Sequence, residues 1–139
     1  MNTIILATDG SSHSDDAARY LADGPLLNRD FLVHVVHCEP DVTGEVKAFI
    51  GQADIDAWHH EESGKAMQSV VDILRAGKVG FECHELTGHT PDKIVEHAAK
   101  VGAAAIVMGS HHRGPFLDAL LGSVCARVVA QAPCPVLLI

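Results

Sequence analysis

The sequence predicts a doubly wound α/β domain built on a five-stranded parallel sheet. Short apolar runs alternate with stretches whose apolar residues recur at helical spacing, which is the pattern of parallel strands joined by crossover helices. Hydrophobic residues make up 47% of the chain and aromatic residues only 4%, so the core must consist of small aliphatic side chains, as between helices and a parallel sheet. The 139 residues fit one domain, 1–139.

The first predicted helix lies between two strands. Residues 3–8 form a short apolar run typical of a buried strand. Apolar residues then recur at helical spacing, with Ser12 or Ser14 as the expected N-cap, until Gly24-Pro25 ends the helix. Residues 31–37 are rich in β-branched side chains and predict the second strand.

A longer helix follows a connecting segment. Residues 39–52 show no clear period and are interpreted as a loop. The helix ends near Gly77, and we expect His59 and His60, next to Glu61-Glu62, on its solvated face. The apolar side of this helix is expected to carry Trp58, Met67, Val70, Val71 and Leu74.

The third strand, residues 81–86, is more polar than the first two, which favours a position near the edge of the sheet. Thr90-Pro91 is a strong helix start, with threonine as the N-cap and proline at the first helical position, and Gly102 ends this helix. Residues 103–108 form an apolar run that predicts a buried fourth strand.

The last part of the chain predicts a helix and a strand. Leucine and valine keep helical spacing up to residue 128, but Gly122-Ser123 interrupts them. We therefore expect a short helical turn and then a new helix that begins near Ser123. The prolines at 133 and 135 end that helix, and residues 136–139 form the terminal fifth strand.

The segment after the fourth strand has the parts of a phosphate-binding loop. It runs through Met108-Gly109-Ser110-His111-His112-Arg113-Gly114 and continues to Leu121-Gly122-Ser123-Val124. Glycine leaves backbone N–H groups accessible, and the N-terminus of the following helix carries partial positive charge, so both features attract an anion.

Charge and cysteine content exclude several classes of protein. The net charge of −8 argues against non-specific binding to nucleic acid or to an anionic membrane surface. No Cys-x-x-Cys pair occurs, so four reduced and mostly buried thiols are expected. Met1 leads directly into an apolar run without a basic segment, and no long apolar stretch follows, so we expect a cytoplasmic protein without a signal peptide or membrane span.

Several segments, in this order, carry a resemblance to a known family. They are residues 4–11, residues 88–94, Ile106-Val107-Met108-Gly109-Ser110, Leu121-Gly122-Ser123-Val124 and Ala132-Pro133-Cys134-Pro135-Val136. Together they are similar to the universal stress protein family, over essentially the whole chain. The resemblance implies a Rossmann-like adenine-nucleotide-binding fold with sheet order 3-2-1-4-5 and helices on both faces. It also implies a homodimer joined through the last strand, Val136–Ile139.

One branch of that family binds ATP through the motif Gly-x2-Gly-x9-Gly-Ser/Thr. Gly109 matches the first glycine, and Gly122-Ser123 match the last pair at the right spacing. The resemblance therefore implies ATP or AMP as the ligand, with or without Mg²⁺, and Val35 as the residue beside the adenine. The implied nucleotide-binding residues are Ala7, Thr8, Asp9, Val35, Met108, Gly109, Ser110, His111, His112, Gly122, Ser123 and Val124.

His112 stands where the motif has its second glycine, and the sequence leaves two interpretations open. A histidine side chain could fill the space of the phosphates, and it is costlier than glycine where φ must be positive. Alternatively, the imidazole beside Arg113 donates a hydrogen bond to a phosphate and replaces the lost backbone contact.

Two further interpretations concern Asp9 and the histidines. At the end of the first strand, Asp9 either binds a ribose hydroxyl or a divalent cation, or caps the next helix, and these roles are compatible. No metal site is predicted, because adjacent histidines point in different directions and no His-x3-His spacing occurs. His34 and His37 are interpreted as core or edge histidines.

The leading hypothesis is a cytoplasmic stress-response protein that binds an adenine nucleotide as a regulatory ligand. Efficient catalysis is not expected, because the chain offers no evident base beside an activated nucleophile. A P-loop lysine and a Gly-x-Gly-x-x-Gly segment are absent, so no redox cofactor is expected. The alternatives are a dimeric interaction protein of the same fold without nucleotide, and a slow ATPase.

Overall fold

Strands and helices alternate within the part of the chain that the computed structural model describes, residues 1–24, 28, 30–42, 44–110 and 122–139. The strands are β1 (Asn2–Ala7), β2 (Phe31–Glu39), β3 (Phe81–Thr87), β4 (Ala105–Met108) and β5 (Val136–Leu138). The helices are α1 (Ser12–Asp23), α2 (Gly44–Phe49), α3 (Gln52–Ala76), α4 (Thr90–Val101) and α5 (Ser123–Gln131).

The strands form one parallel sheet in the order β3-β2-β1-β4-β5. This order confirms the expected topology, and it also confirms that the polar third strand lies at an edge. The chain builds outward from β1 to β3, then returns to place β4 on the other side of β1. The sheet therefore has a topological switch point between β1 and β4, where parallel α/β proteins bind their ligands.

Apolar side chains cover both faces of the sheet, as the alternation of strands and helices predicts. On one face, α1 and α3 pack onto alternate residues of β1 and β2, including Leu6, Val33 and Val35. On the other face, α4 and α5 pack onto the intervening residues, including Ile5 and Val36. Successive side chains of a strand point to opposite faces, so the side chains of β2 contribute alternately to the two cores.

Two features between β2 and β3 differ from the sequence prediction. The segment predicted as a loop contains the short helix α2, none of whose side chains is buried. In α3, Trp58 is 45% exposed, whereas His59 is buried and takes the inward position. Because Ile55 is also buried, the inward face passes through residues 55, 59, 63 and 67 at four-residue spacing.

The helix starts are displaced by one residue from the predicted caps. α1 has Ser11 as its N-cap, not Ser12 or Ser14, and α4 has His89 in that position, not Thr90. Neither cap residue makes a side-chain capping hydrogen bond. The predicted helix end at Gly102 is confirmed, since this glycine has φ +62°, a left-handed conformation that favours glycine. The helical turn predicted before Gly122 lies outside the described residues.

All four cysteines are free thiols, but their burial is less uniform than predicted. Cys38 and Cys125 are buried, Cys134 is partly exposed and Cys83 is exposed on β3. Edge placement of β3 accounts for Cys83, because only one neighbouring strand and part of α3 cover it. Among the helices in the described ranges, none is both long and apolar enough to cross a bilayer.

Replacing Ile106 by alanine tests the core between the sheet and helices α4 and α5. Ile106 is fully buried on β4, so Ile106→Ala should lower the free energy of unfolding by about 2–5 kcal/mol through lost burial and a cavity. Urea unfolding measures this change. Val129→Ala is the matched control, because Val129 is 50% exposed on α5 and should alter stability by less than about 0.5 kcal/mol. Equal effects of both substitutions would contradict this description of the core.

Candidate functional site

A cleft of about 320 Å³ opens at the carboxyl ends of β1, β2 and β4. It lies at the topological switch point between β1 and β4 and faces the N-terminus of α5. The described residues that line it are Ala7, Thr8, Asp9, Ser11, Ser14, Val36, His37, Cys38, Thr90, Ile94, Met108, Gly109, Gly122, Ser123, Val124 and Cys125. The volume falls within the range of about 300–1,000 Å³ that is usual for small-molecule sites.

The turn after β1 forms the floor of the cleft and is held by its own side chains. The Thr8 hydroxyl accepts a hydrogen bond from the Gly10 amide at 3.0 Å and donates to the Ala66 carbonyl of α3 at 3.4 Å. Asp9 Oδ1 accepts from the Ser11 amide at 2.9 Å, two residues further on. Gly10 has φ +82° and lies against the Ala66 backbone, so a side chain there would be both strained and crowded.

Asp9 orders the start of α1 while it lines the cleft. Its Oδ1 also accepts a hydrogen bond from the Ser14 hydroxyl at 3.0 Å. Burial acts to raise the pKa of the Asp9 carboxyl, but the hydrogen bonds from Ser11 and Ser14 together outweigh burial and hold the pKa below its ordinary value. Asp9 therefore orders the turn that leads into α1, and its carboxylate is ionised at neutral pH.

Gly109 allows β4 to end directly against the first turn of α1. A Cβ atom at this position would collide with the backbone of His13 and Ser14. Glycine is therefore required here because two backbones approach closely. A positive φ is not the reason, since Gly109 does not have one. The next residue, Ser110, donates its amide to the Ile139 carbonyl at 2.8 Å, so this amide already has a partner.

The N-terminus of α5 supplies the most favourable position for an anion. Gly122 is the N-cap and, lacking a side chain, forms no capping hydrogen bond. The first amides of a helix have no partner within the helix, and the helix dipole adds partial positive charge at this end. Gly122, Ser123 and Val124 all line the cleft, so a bound anion can accept hydrogen bonds from this turn.

The apolar wall of the cleft contains Val36 rather than Val35. Val35 is fully buried against α1 and α3 on the opposite face of the sheet, whereas Val36 packs with Ile94 and Met108 and lines the cleft. Val35, which the sequence places beside the adenine, therefore does not line the cleft, and Val36 lines it instead. Side chains alternate along a strand, so an error of one residue moves the contact to the other face.

Of the twelve residues that the sequence assigns to the site, eight line the cleft. They are Ala7, Thr8, Asp9, Met108, Gly109, Gly122, Ser123 and Val124. Val35 and Ser110 are not among the lining residues, and His111 and His112 lie outside the described residues. The structure thus brings together residues from positions 7–9, 108–109 and 122–124, which three separate elements contribute.

Three reactive side chains in the cleft were not assigned to it from the sequence. His37 Nδ1 lies 2.8 Å from the Thr8 carbonyl and Nε2 lies 2.6 Å from Glu39 Oε1, so both ring nitrogens face acceptors. Burial raises the pKa of both the Cys38 and Cys125 thiols, and the charge of Asp9 acts in the same direction on Cys125. Alternation along β2 offered a signal for Cys38, since it shares a face with Val36.

Residues 1–139 match the model of the universal stress protein family. A universal stress protein of Thermus aquaticus is 33% identical over 153 residues, which cover 99% of this chain and 97% of the relative. The solved structure of the universal stress protein from Archaeoglobus fulgidus has a TM-score of 0.75 at 30% identity, covering 100% of this chain and 93% of that one. A universal stress protein from Archaeoglobus fulgidus solved in complex with dAMP has a TM-score of 0.69 at 29% identity, covering 100% of this chain and 97% of that one.

Replacing Gly109 by alanine tests the close approach of β4 to α1. The added methyl group meets the backbone of His13 and Ser14, so Gly109→Ala should lower the free energy of unfolding by about 1–3 kcal/mol. Gly64→Ala is the matched control, because a Cβ atom at Gly64 in α3 meets no other atom and alanine should raise helix stability by about 0.5–1 kcal/mol. Denaturant unfolding of both variants measures the difference, and a stable Gly109→Ala protein would show that the two backbones can separate without cost.

Proposed function

Since this chain belongs to the universal stress protein family, we propose that it binds an adenine nucleotide in the cleft at the switch point, as a regulatory ligand that it does not efficiently turn over. The observation that carries this proposal is the position of the α5 N-terminus opposite the turn after β1, with an apolar wall between them. The dAMP complex of the Archaeoglobus fulgidus relative, at 29% identity, supports the same ligand class.

Each part of the nucleotide has a matching surface in the described cleft. The amides of the first turn of α5, Gly122–Val124, bind the phosphate. The adenine ring packs against the apolar side chains of Val36, Ile94 and Met108. The Asp9 carboxylate accepts a hydrogen bond from a ribose hydroxyl while it continues to accept from Ser11 and Ser14, because two carboxylate oxygens offer about four acceptor positions.

The charge of the lining bears on the choice between ATP and AMP. Among the lining residues that the structure describes, Asp9 is charged and no lysine or arginine occurs. A monophosphate can be neutralised in large part by the α5 N-terminus, but a triphosphate carries further negative charge that this part of the cleft does not match. Mg²⁺ binds phosphate oxygens directly and neutralises part of this charge. The binding of ATP therefore depends on Mg²⁺ more strongly than the binding of AMP does.

Occupancy without turnover follows from the state of the candidate catalytic groups. Among the described lining residues, His37 is the imidazole; both of its ring nitrogens are directed at acceptors, so it is not placed as a general base. The thiols of Cys38 and Cys125 have raised pKa values, so they are protonated and weakly nucleophilic at neutral pH. We also propose a cytoplasmic location, because the four free thiols suit a reducing compartment.

Homodimerisation through β5 is the second part of the proposal. β5 is the last strand of the sheet, so within the described residues its outer edge has no neighbouring strand. Residues Val136–Leu138 are apolar and only partly buried. An exposed apolar edge strand favours association with another strand, and a second copy of the same strand covers it symmetrically.

Calorimetric titration with AMP and with ATP, each with and without Mg²⁺, tests nucleotide binding. We expect saturable binding of both, with Mg²⁺ increasing the affinity for ATP more than that for AMP. Asp9→Asn should weaken binding about tenfold or more, because a hydrogen bond to a charged group contributes about 1.5–3 kcal/mol, while the asparagine oxygen still accepts from Ser11. Asp16→Asn is the control, since Asp16 pairs with Arg19 on the surface of α1.

The nucleotide proposal fails if millimolar AMP and ATP change neither the heat signal nor the melting temperature, since a ligand that binds the folded state must raise its stability. Phosphate release above background from pure protein with Mg²⁺ would instead support the slow ATPase and overturn the claim of occupancy without turnover.

Light scattering and small-angle X-ray scattering test the dimer. The wild-type protein should have twice the mass of one chain. Leu138→Lys, which places a charge on the edge strand, should have the mass of a monomer. Val129→Lys, at an exposed position on α5, should remain dimeric. A wild-type protein that is monomeric at high concentration would contradict an interface through β5.

A further inference from the structure

Three histidines that are far apart in the sequence meet at the outer part of the sheet, away from the nucleotide cleft. His34 lies on β2, His84 on β3 and His97 on α4, and one nitrogen of each lies within 4.8 Å of the others. His34 and His97 are buried and His84 is half-buried. Among the described residues this is the one cluster of at least three metal-ligating side chains with such spacing.

We infer that His34, His84 and His97 form a binding site for a divalent transition metal ion of the zinc class. Three imidazoles with no thiolate suit Zn²⁺, Co²⁺, Ni²⁺ and Cu²⁺ and disfavour Mg²⁺ and Ca²⁺, which prefer oxygen ligands. Three protein ligands leave a fourth position of a tetrahedral ion for water or another small ligand.

The contact between His34 and His97 is close to the geometry of a metal site. His34 Nδ1 lies 3.1 Å from His97 Nε2, and two nitrogens bound to one tetrahedral zinc ion lie about 3.3 Å apart, given bond lengths of about 2.0–2.1 Å. The two rings are tilted by 47° and do not stack face to face. Both nitrogens can therefore bind one ion after a small displacement of the rings and a transfer of the proton between them to another ring nitrogen.

Glu82 provides the carboxylate that orients such ligands. Its Oε2 lies 3.4 Å from His34 Nε2 and 3.3 Å from His84 Nε2, so it contacts two of the three rings. For His34 this is the nitrogen opposite the one that faces His97. A carboxylate on the far nitrogen of an imidazole fixes its tautomer and strengthens its binding to the metal.

His84 must move for all three nitrogens to bind one ion. Its ring is stacked on that of His34, with centroids 4.4 Å apart and planes 25° from parallel, so the in-plane lone pairs of the two rings do not converge. His84 is on the edge strand β3 and 31% of its side chain is exposed, so this ring is the least buried of the three. His84 is therefore the ligand that closes the site.

The cluster is accessible to an ion and its rings are in a suitable state. A surface depression of about 210 Å³, lined by His97 together with Leu86 and Thr87, reaches one member of the cluster from solvent. Lysines and glutamates both line it, so their charges largely cancel. Burial lowers the pKa of His34 and of His97, which favours the neutral imidazole that metals bind.

Calorimetric titration of chelator-treated protein with Zn²⁺, in the absence of nucleotide, tests this inference. The wild-type protein should bind one zinc ion per chain in this site, and Co²⁺ should bind with the visible absorption bands of a tetrahedral complex. Mg²⁺ and Ca²⁺ should give no saturable binding. His84→Ala should weaken zinc binding by more than about 100-fold, and Glu82→Gln by about 10–100-fold.

His60→Ala is the matched control, because it also removes one histidine, and His60 is 79% exposed on α3 outside the cluster. It should leave the zinc affinity and the cobalt spectrum unchanged. Zinc binding that is as tight in His84→Ala as in the wild type, or that is lost in His60→Ala, would overturn the inference.

X-ray absorption at the zinc edge gives a result that does not depend on any variant being folded. The wild-type complex with one equivalent of zinc should show three imidazole ligands. Fewer than two imidazoles, or no saturable binding of zinc by the wild-type protein, would assign these histidines to the hydrophobic core alone.

Discussion

The alternation of side chains along β2 determines where both sites of this protein lie. Val33 and Val35 point into the core beneath α1 and α3, while His34 and Val36 point to the face covered by α4 and α5. Val36 thereby becomes part of the cleft wall, and His34 meets His97 of α4. A shift of one residue in the register of β2 would bury polar rings in the first core and remove the wall of the cleft.

The cleft itself depends on two backbone constraints at the switch point. The turn from Thr8 to Ser11 is closed by hydrogen bonds to the Thr8 hydroxyl and the Asp9 carboxylate, and Gly10 supplies its positive φ. Gly109 then brings the end of β4 against the backbone of α1. The first constraint is polar and the second is steric, whereas the helices around them are held by apolar burial, so the geometry of the cleft and the stability of the core arise from different interactions.

The sequence predicts most of the fold and much of the cleft because both depend on local patterns. Apolar runs, helical spacing and the glycine-serine pair at 122–123 identify the strands, α5 and the turn at which we propose that phosphate binds. The burial of His59 in place of Trp58 was not predictable, since the indole is the more hydrophobic group and only tertiary packing decides which side of α3 faces inward. The histidine cluster was missed for a related reason. Its members are 50 and 13 residues apart, so only the sheet order and the crossover of α4 bring them together.

Helix α4 contributes residues to both the cleft and the histidine cluster, and apolar burial holds the helix in place whether or not a ligand is bound. Thr90 and Ile94 in its first half line the cleft, and His97 lies in the histidine cluster about one turn further along. On either side of His97 along the helix, Ile94 and Ala98 are buried in the same apolar cluster as Ile5 and Ile106. Apolar burial therefore positions the backbone at His97, just as the sheet positions His34, and only His84 has to be ordered by an ion. Histidine side chains that are held in place before the metal binds lose less conformational entropy on binding. A three-histidine site at the edge of this sheet therefore does not require a dedicated metal-binding loop.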